Sequence, residues 1–458
     1  MPPIDLWAGI MTKQKKLKLK KPGKLARALA YLSLVVLISG DSLFGEDYIR
    51  VTPVWILWLL GAVTTVVGAT YFLIKADWKR VVRQMPIELT LLLVLMIASS
   101  TWSVYPVQTV SGFSLQIGIT VVALFFAATF TWRQILVIFA NTIRGIVFGM
   151  LSLGFLSWIF PAAKSTLAQS DIVFDAGIVK LMLGNPNLVS NNYVAAWALI
   201  GVITFAIEAA IKKKTIVLSL VSLASSFILI VVSKSAGMVF ASVAVLLAAI
   251  VSLAAEGKDK ATRHRYYRIA WSVAGVGVFL VLAFRRQVFE FLGKSPDMTH
   301  RIDIWRDVAF LIEQNPLEGW GFTGVWVPGV VPYEGLVVIN GESYYQAHNA
   351  YLDMWLQLGA VGLILFVILL TRLFVKTWRL GVHHSNALYL WPLLLLVTQL
   401  VRGITESRLL IQSAMMMLIL FAVKSYDPEE LLEENSKKTK RKQLEQISKR
   451  PITRLIRR

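Results

Sequence analysis

Apolar stretches of about twenty residues recur from one end of this chain to the other, and nothing else in the sequence restricts its fold as much. A helix of that length crosses the ~30 Å hydrocarbon core of a bilayer. Helices and closed barrels are the only structures that satisfy every backbone polar group there. A barrel would show segments of about ten residues with alternating polarity, and the sequence has none. Twelve spans are expected, near residues 25–41, 52–74, 87–102, 107–130, 134–160, 189–210, 214–232, 237–255, 268–285, 354–371, 385–401 and 409–424. Composition agrees: the 458 residues are 56% hydrophobic and 16% charged, whereas soluble domains carry about 25% charged residues. The expected fold is an all-α polytopic membrane protein with about twelve transmembrane helices.

The net charge of +20 invites a nucleic-acid reading, but its distribution argues against one. Lys and Arg gather in KQKKLKLKKPGKLAR, KADWKRVVR, IKKK, GKDKATRHRYYR and TRLFVKTWR, and in the tail KKTKRKQLEQISKRPITRLIRR. With both termini cytoplasmic, twelve spans put all of these on one side, as the positive-inside rule requires. The expected partner of the tails is anionic membrane lipid, at roughly 1 kcal/mol per basic residue, and no nucleic acid. The organisation read this way is a basic tail at 1–24, nine spans over 25–285, an outward segment at 286–353, three spans over 354–424 and a basic tail at 425–458. No cleaved leader is expected, since no small-residue cleavage site follows the first apolar run. Cysteine is absent, which excludes disulfides, thiolate metal sites and cysteine nucleophiles.

The outward segment has internal order. SPDMTHRIDIWRDVAFLIEQNP reads as an amphipathic helix capped at Ser295 or Thr299, with Ile304, Trp305, Val308, Leu311 and Ile312 on one stripe and Asn315-Pro316 as its stop. LEGWGFTGVWVPGVVPYEGLVVINGES then reads as an irregular lid or crossing loop, and His348 opens the tenth span.

The polar residues here each have a plain reading and a chemical one. His348 is either a helix-entry residue or a group able to bind or deprotonate an acceptor. Asp353 lies about 140° away around the helix and is a poor orienting partner for it. Asn349 is a further ligand or a cap. Arg301, in the first turn of its helix, is either a solvated arginine or part of a diphosphate cradle with the free N–H groups there. Trp305 shares its face and suits packing better than ligand stacking. Lys234 in VVSKSAGMV is an anchor at the membrane surface or a ligand. In VRGITESR, Glu406 is expected to pair with Arg402 or Arg408. Arg144, in mid-span, must face the bundle interior as a tie or as a cavity floor. No metal-ligand spacing occurs in the outward loops. Lys234, Arg301, His348 and Arg402 come from distant places yet are expected on one side at one depth. Unpaired cations gathered there call for an anionic ligand.

The same residues carry a resemblance to the bacterial O-antigen ligase and polysaccharide polymerase superfamily, closest to its exopolysaccharide-polymerase-like branch. LGNPNLVSNN, which holds Asn187, resembles an outward Asn-Pro-Asn segment of that family. VVSKSAG resembles its serine–basic–serine stretch, MTHRIDIWRDVAFLIEQNPLEGWGF its arginine-bearing helix and Pro-x-x-Gly-x-Gly exit, and QAHNAYLDMWLQLGAVG its His-Asn entry with Leu-Gly-x-x-Gly. His300 stands where a glycine is common and Lys234 where an arginine is, so the phosphate geometry differs in detail.

The resemblance implies a GT-C-like, metal-independent glycosyltransferase without cofactor in the bacterial cytoplasmic membrane. It would move a glycan from an undecaprenyl-diphosphate carrier to a glycan, lipid or protein acceptor at the outer face. His348 and Arg301 would be the catalytic pair. Lys234, Arg402, Asn187, Asn349, Trp305, Glu406, Arg285 and Arg286 would hold substrate. Polymerisation of repeat units, with a chain-length regulator as candidate partner, is favoured over ligation to lipid A-core or protein. The non-enzyme rival is a transporter or lipid-linked glycan flippase, which would line a midplane path with polar residues. The absence of cysteine makes the topology testable. Single Ser343→Cys and Ser448→Cys variants, treated in intact cells with an impermeant maleimide, are expected to label at 343 and not at 448.

Overall fold

The computed structural model describes residues 22–43, 53–159, 191–233, 235–291, 301–339, 342–343, 345–383 and 386–425. Asn187, Lys234, the segment 161–188, both basic tails and the expected caps Ser295 and Thr299 lie outside them. The described chain is helical apart from loops and one two-residue antiparallel pair, β1 (Val338–Ile339) with β2 (Glu342–Ser343). In chain order the helices are α1 (Lys24–Leu43), α2 (Pro53–Lys75), α3 (Trp78–Arg83), α4 (Ile87–Ala98), α5 (Pro106–Thr129), α6 (Trp132–Ile159), α7 (Asn191–Ile211) and α8 (Ile216–Ser233). There follow α9 (Ala236–Ala255), α10 (Lys260–Ala283), α11 (Arg285–Phe291), α12 (Arg301–Gln314), α13 (Ala350–His383), α14 (Leu390–Arg402) and α15 (Gln412–Lys424).

Every expected span falls on one of these helices, and among the described residues eight helices are long and apolar enough to cross a membrane. The helical stretches Ile87–Thr101, Ala387–Arg402 and Gln412–Lys424 are apolar but shorter. The molecule is a multi-pass membrane protein. α7 is packed on most sides, against α6, α8, α9 and α14. α10 has no buried residue and meets the body through α9 and a Tyr267–Trp378 edge contact.

Arg144 is a tie. Its Nη2 meets Glu208 Oε2 at 2.5 Å, its Nε donates to Ser222 Oγ at 2.9 Å and its Nη1 to Asn141 Oδ1 at 2.8 Å. Ser219 Oγ donates to Glu208 Oε2, and Asn141 Nδ2 to the Tyr31 hydroxyl. Four helices, α1, α6, α7 and α8, are thereby joined through one guanidinium. Removing Glu208 would strand the Arg144 charge, at about 3–5 kcal/mol, whereas Glu208 also has Lys212 Nζ at 3.4 Å.

The feature that shapes the region between α12 and α14 is a break in α13. Gly359 takes φ 63°, ψ −170°, a region that residues with a Cβ rarely enter. The break parts the carbonyl of Leu356 from the N–H of Ala360, its ordinary helical partner. Leu356 O accepts instead from Trp320 N at 3.0 Å, Gln357 O from Gly321 N at 2.9 Å, and Ala360 N donates to Pro316 O at 2.8 Å. This exchange needs backbones in contact. A methyl group on Gly359 would overlap the Leu317 carbonyl, and one on Gly319 (φ 69°) the backbone of Gln357 and Gly359. The Pro-x-x-Gly-x-Gly and Leu-Gly-x-x-Gly patterns are thus the two sides of one joint. Gly359→Ala is expected to cost at least about 1–3 kcal/mol in strain alone. A thermal melt of the purified variant, showing a lowered midpoint, is the check; an unchanged midpoint would mean that the glycine is not required.

Candidate functional site

Three elements end where α13 begins. α12 buries Ile304, Val308, Leu311 and Ile312 in a small second core with Tyr105, Trp326, Tyr333, Val337, Ala347 and Leu356. That stripe is the one expected from sequence, and it fixes the first residue of the helix, Arg301, over the turn after α14. There Arg301 Nη2 meets Glu406 Oε1 at 3.0 Å and Nε donates to Thr405 O at 3.2 Å.

His348 faces the other carboxylate oxygen, with Nδ1 at 3.4 Å from Glu406 Oε2. This is longer than a well-formed N–H···O bond. His348 has φ 47°, a left-handed conformation that histidine enters more readily than most residues. Its neighbours hold it there. Trp305 Nε1 donates to Ala347 O at 3.1 Å, Asn349 N to Ser407 Oγ at 3.3 Å, and Ala350 N to Gly403 O at 2.8 Å.

Several expectations change in this geometry. The cations are not unpaired: Glu406 sits between Arg301 and His348, so Arg301 joins the partners expected for it. Asn349 is a cap, its Oδ1 accepting from the N–H groups of Tyr351 and Leu352 at 3.0 and 3.1 Å. Trp305 packs and holds Ala347. Arg285 and Arg286 are exposed on α11, outside the contacts that build this cluster. Arg402 is buried, and its charge acts on Glu406. Lys234 lies outside the described residues, but Gly237, three residues on, packs against Thr405.

The loop after α12 forms a pinned roof over the start of α13. Gln357 Oε1 accepts from Thr323 N at 2.9 Å and Gly324 N at 2.8 Å. Trp326 stacks on Tyr333 with ring centroids 5.1 Å apart. The Tyr105 hydroxyl joins Tyr333 and Gly321 O, and burial pushes both phenols above their ordinary range. Tyr105, Trp326, Tyr333 and Gln357 were not singled out from the sequence. Gln357 alone carried a signal, as an amide inside an apolar run. Glu406 was singled out, but not as the carboxylate that faces His348.

Residues 193–367 match the family described as O-antigen ligase. A putative polysaccharide ligase of Rickettsia felis is 34% identical over 87 residues, which is 18% of this chain and 21% of the relative. One of Rickettsia conorii is 32% identical over 87 residues, with the same shares. The match thus spans about a fifth of the length of these curated relatives. The stretch from 193 to 367 is thus similar to that family, in keeping with the resemblance read from its motifs. It includes Arg301, His348 and the break at Gly359, and ends before Arg402 and Glu406.

Burial alone would raise the Glu406 carboxyl. The contact and charge of His348, with the charges of Arg301 and Arg402, outweigh burial and hold it well below the usual carboxylate range. A depressed folded-state value means that this group's contribution to stability is whole above its ordinary value of 4.5 and is lost as pH falls toward the folded value. Glu406→Gln is therefore expected to cost about 3 kcal/mol at pH 7. The gap in melting temperature to the wild type should narrow only below about pH 4.5. A gap that stays constant down to pH 3.5 would detach Glu406 from the charge cluster.

Proposed function

We propose that this protein is a glycosyltransferase of the bacterial cytoplasmic membrane, with a GT-C-like fold. In this reading its site faces outward and both termini are cytoplasmic. It moves a glycan from an undecaprenyl-diphosphate carrier to an acceptor hydroxyl, without a metal. The observation that carries the proposal is the meeting of Arg301, His348, Arg402 and Glu406, drawn from three separate segments, beside a residue in left-handed conformation. In the transfer, the acceptor oxygen bonds to the anomeric carbon as the bond from that carbon to the diphosphate oxygen breaks. Glu406 on the Nδ1 side orients the imidazole, so that Nε2 takes the acceptor proton and the imidazolium is stabilised. Arg301 and Arg402, with Lys234, carry the charge that develops on the departing diphosphate. The roof excludes water, whose attack would hydrolyse the donor.

Polymerisation is the first reading, with a second carrier-linked glycan as acceptor. Ligation to a lipid or protein acceptor is the second, favoured by the similarity to the two Rickettsia proteins described as polysaccharide ligases. Given undecaprenyl-diphosphate repeat units alone, the purified protein should build a ladder of longer chains. No ladder, with transfer appearing once a separate acceptor is added, identifies a ligase.

The roles themselves are tested by substitution. Loss of a charge-assisted contact, worth about 1.5–3 kcal/mol, should slow transfer roughly 10- to 150-fold in Arg301→Ala and His348→Ala. Arg301→Lys should recover little, because the planar fork is lost. Folded variants with near-normal transfer would overturn the assignment. Transfer should also persist in a chelator, and loss restored by a divalent ion would overturn metal independence.

A further inference from the structure

The wall formed by α4 and α13 carries a polar tie at each end, and the two ties stand close together. α4 packs against α13, and the ties show that the two helices run in opposite directions. At one end Arg372 Nη1 donates to Glu88 Oε2 at 3.0 Å. At the other, two indoles are bonded to the turn that is seated on Gly359. Trp102, just past the helical stretch Ile87–Thr101, donates to Glu318 O at 3.2 Å, and Trp355 donates to Pro316 O at 3.0 Å. Between the ties the outward side chains are aliphatic: Leu91 and Val94 on α4, Val361, Ile364 and Val367 on α13.

From Glu88 to Trp102, and from Gly359 to Arg372, the chain rises only about 20–22 Å at the usual helical spacing. A bilayer has a hydrocarbon core of about 30 Å, and tilting either helix would shorten its height further. α14 and α15, which flank the turn that carries Glu406, are short as well, with 13 residues each. α2 is the contrast. It is uncharged from Pro53 to Ile74 and exposed at Leu57, Val63, Val67 and Ile74, and over that length it rises about 32 Å.

A short apolar wall can be met in three ways: the bilayer thins, flanking side chains reach out to the surface, or copies associate. Reaching out is restricted here because both ends are already bonded. The guanidinium is held by a glutamate side chain 3% exposed, and the indoles are held by main chain. Association would have to cover Arg372, whose side chain is 56% exposed at the rim of the apolar face.

We propose that the bilayer thins beside α4 and α13, to about 20 Å of hydrocarbon, and keeps its ordinary thickness beside α2. The thin wall ends at the joint that carries the roof, so lipid headgroups stand against the platform that leads to His348. The proposal rests on α4 and α13 crossing the bilayer, and not on the chemistry of transfer.

The test places one nitroxide at a time on the full chain, which has no cysteine of its own, in phosphatidylcholine vesicles. Val361→Cys, Ile364→Cys, Val367→Cys and Thr371→Cys sample α13, and Val63→Cys and Val67→Cys sample α2, all at exposed positions. Accessibility to oxygen against a water-soluble nickel complex gives the depth of each label. The deepest label on α13 should lie between Ile364 and Val367, about 10 Å below the surface, with Thr371 shallow. Val63 should lie about 15 Å deep. Longer acyl chains should deepen the α2 labels and leave Ile364 where it is.

A Thr371 label nearly as deep as that at Val63 means ordinary thickness on both sides and overturns the proposal. Low oxygen accessibility at Ile364 with spin–spin broadening means that a second copy covers the wall, and overturns it too. Should all four α13 labels meet the nickel complex as free label does, the crossing itself falls, and the proposal with it.

Discussion

The region around the start of α13 depends on that helix being broken at Gly359. Inside a membrane an unsatisfied backbone group costs several kcal/mol, so a break survives only where another segment takes up the freed groups. The 316–321 turn does so, and in doing so it is itself fixed. The short first part of α13, Ala350 to Leu358, is thereby set apart from the long membrane-crossing part. It can then serve as a platform, holding the roof through Gln357 and presenting His348 at its entrance. An unbroken helix would leave the roof without these backbone partners.

A carboxylate at the centre of a site meant for an anion looks contrary, and charge accounting explains it. Arg301 and Arg402 close together in poorly solvated surroundings would repel each other and lose hydration. Glu406 offsets part of that cost. It also gives Arg301 and His348 a common reference, so that the group proposed for the leaving diphosphate and the group proposed for the acceptor stand at a defined separation. Proximity of this sort is where much of an enzyme's rate comes from.

What the sequence disclosed, and what it did not, follows from the range of the forces involved. The stripe on α12 was legible because helical periodicity is local, and Ile304, Val308, Leu311 and Ile312 are all buried. Arg301 and His348 stood out as polar residues at the edges of apolar elements. The beginning of α10 at Lys260 was missed because hydropathy cannot see a charged first turn. Asp259 caps it, accepting from the N–H groups of Ala261 and Thr262. Hydropathy blurs the ends of an apolar run, so the expected spans near 385–401 and 409–424 fall on helices of 13 residues, α14 and α15. The contact of Glu406 with His348 was out of reach, since it joins segments far apart in sequence and depends on the turn after α14.

A buried arginine and a half-buried one make the last comparison. Arg144 and Arg301 each meet a buried glutamate, so burial and pairing do not separate a structural arginine from a functional one. Their settings do. Arg144 stands within a regular helix and spends its nitrogens on Glu208, Ser222 and Asn141, all within the bundle. Arg301 stands at a helix start, spends its contacts on a turn, and shares its glutamate with a histidine in left-handed conformation. A network inside regular elements stiffens the packing that made it. One built at helix ends around a strained residue holds strain that the surroundings must maintain, and such strain concentrates at functional sites. That contrast, more than any single contact, is the reason to look for chemistry at the entrance of α13 and for stability at the Arg144 tie.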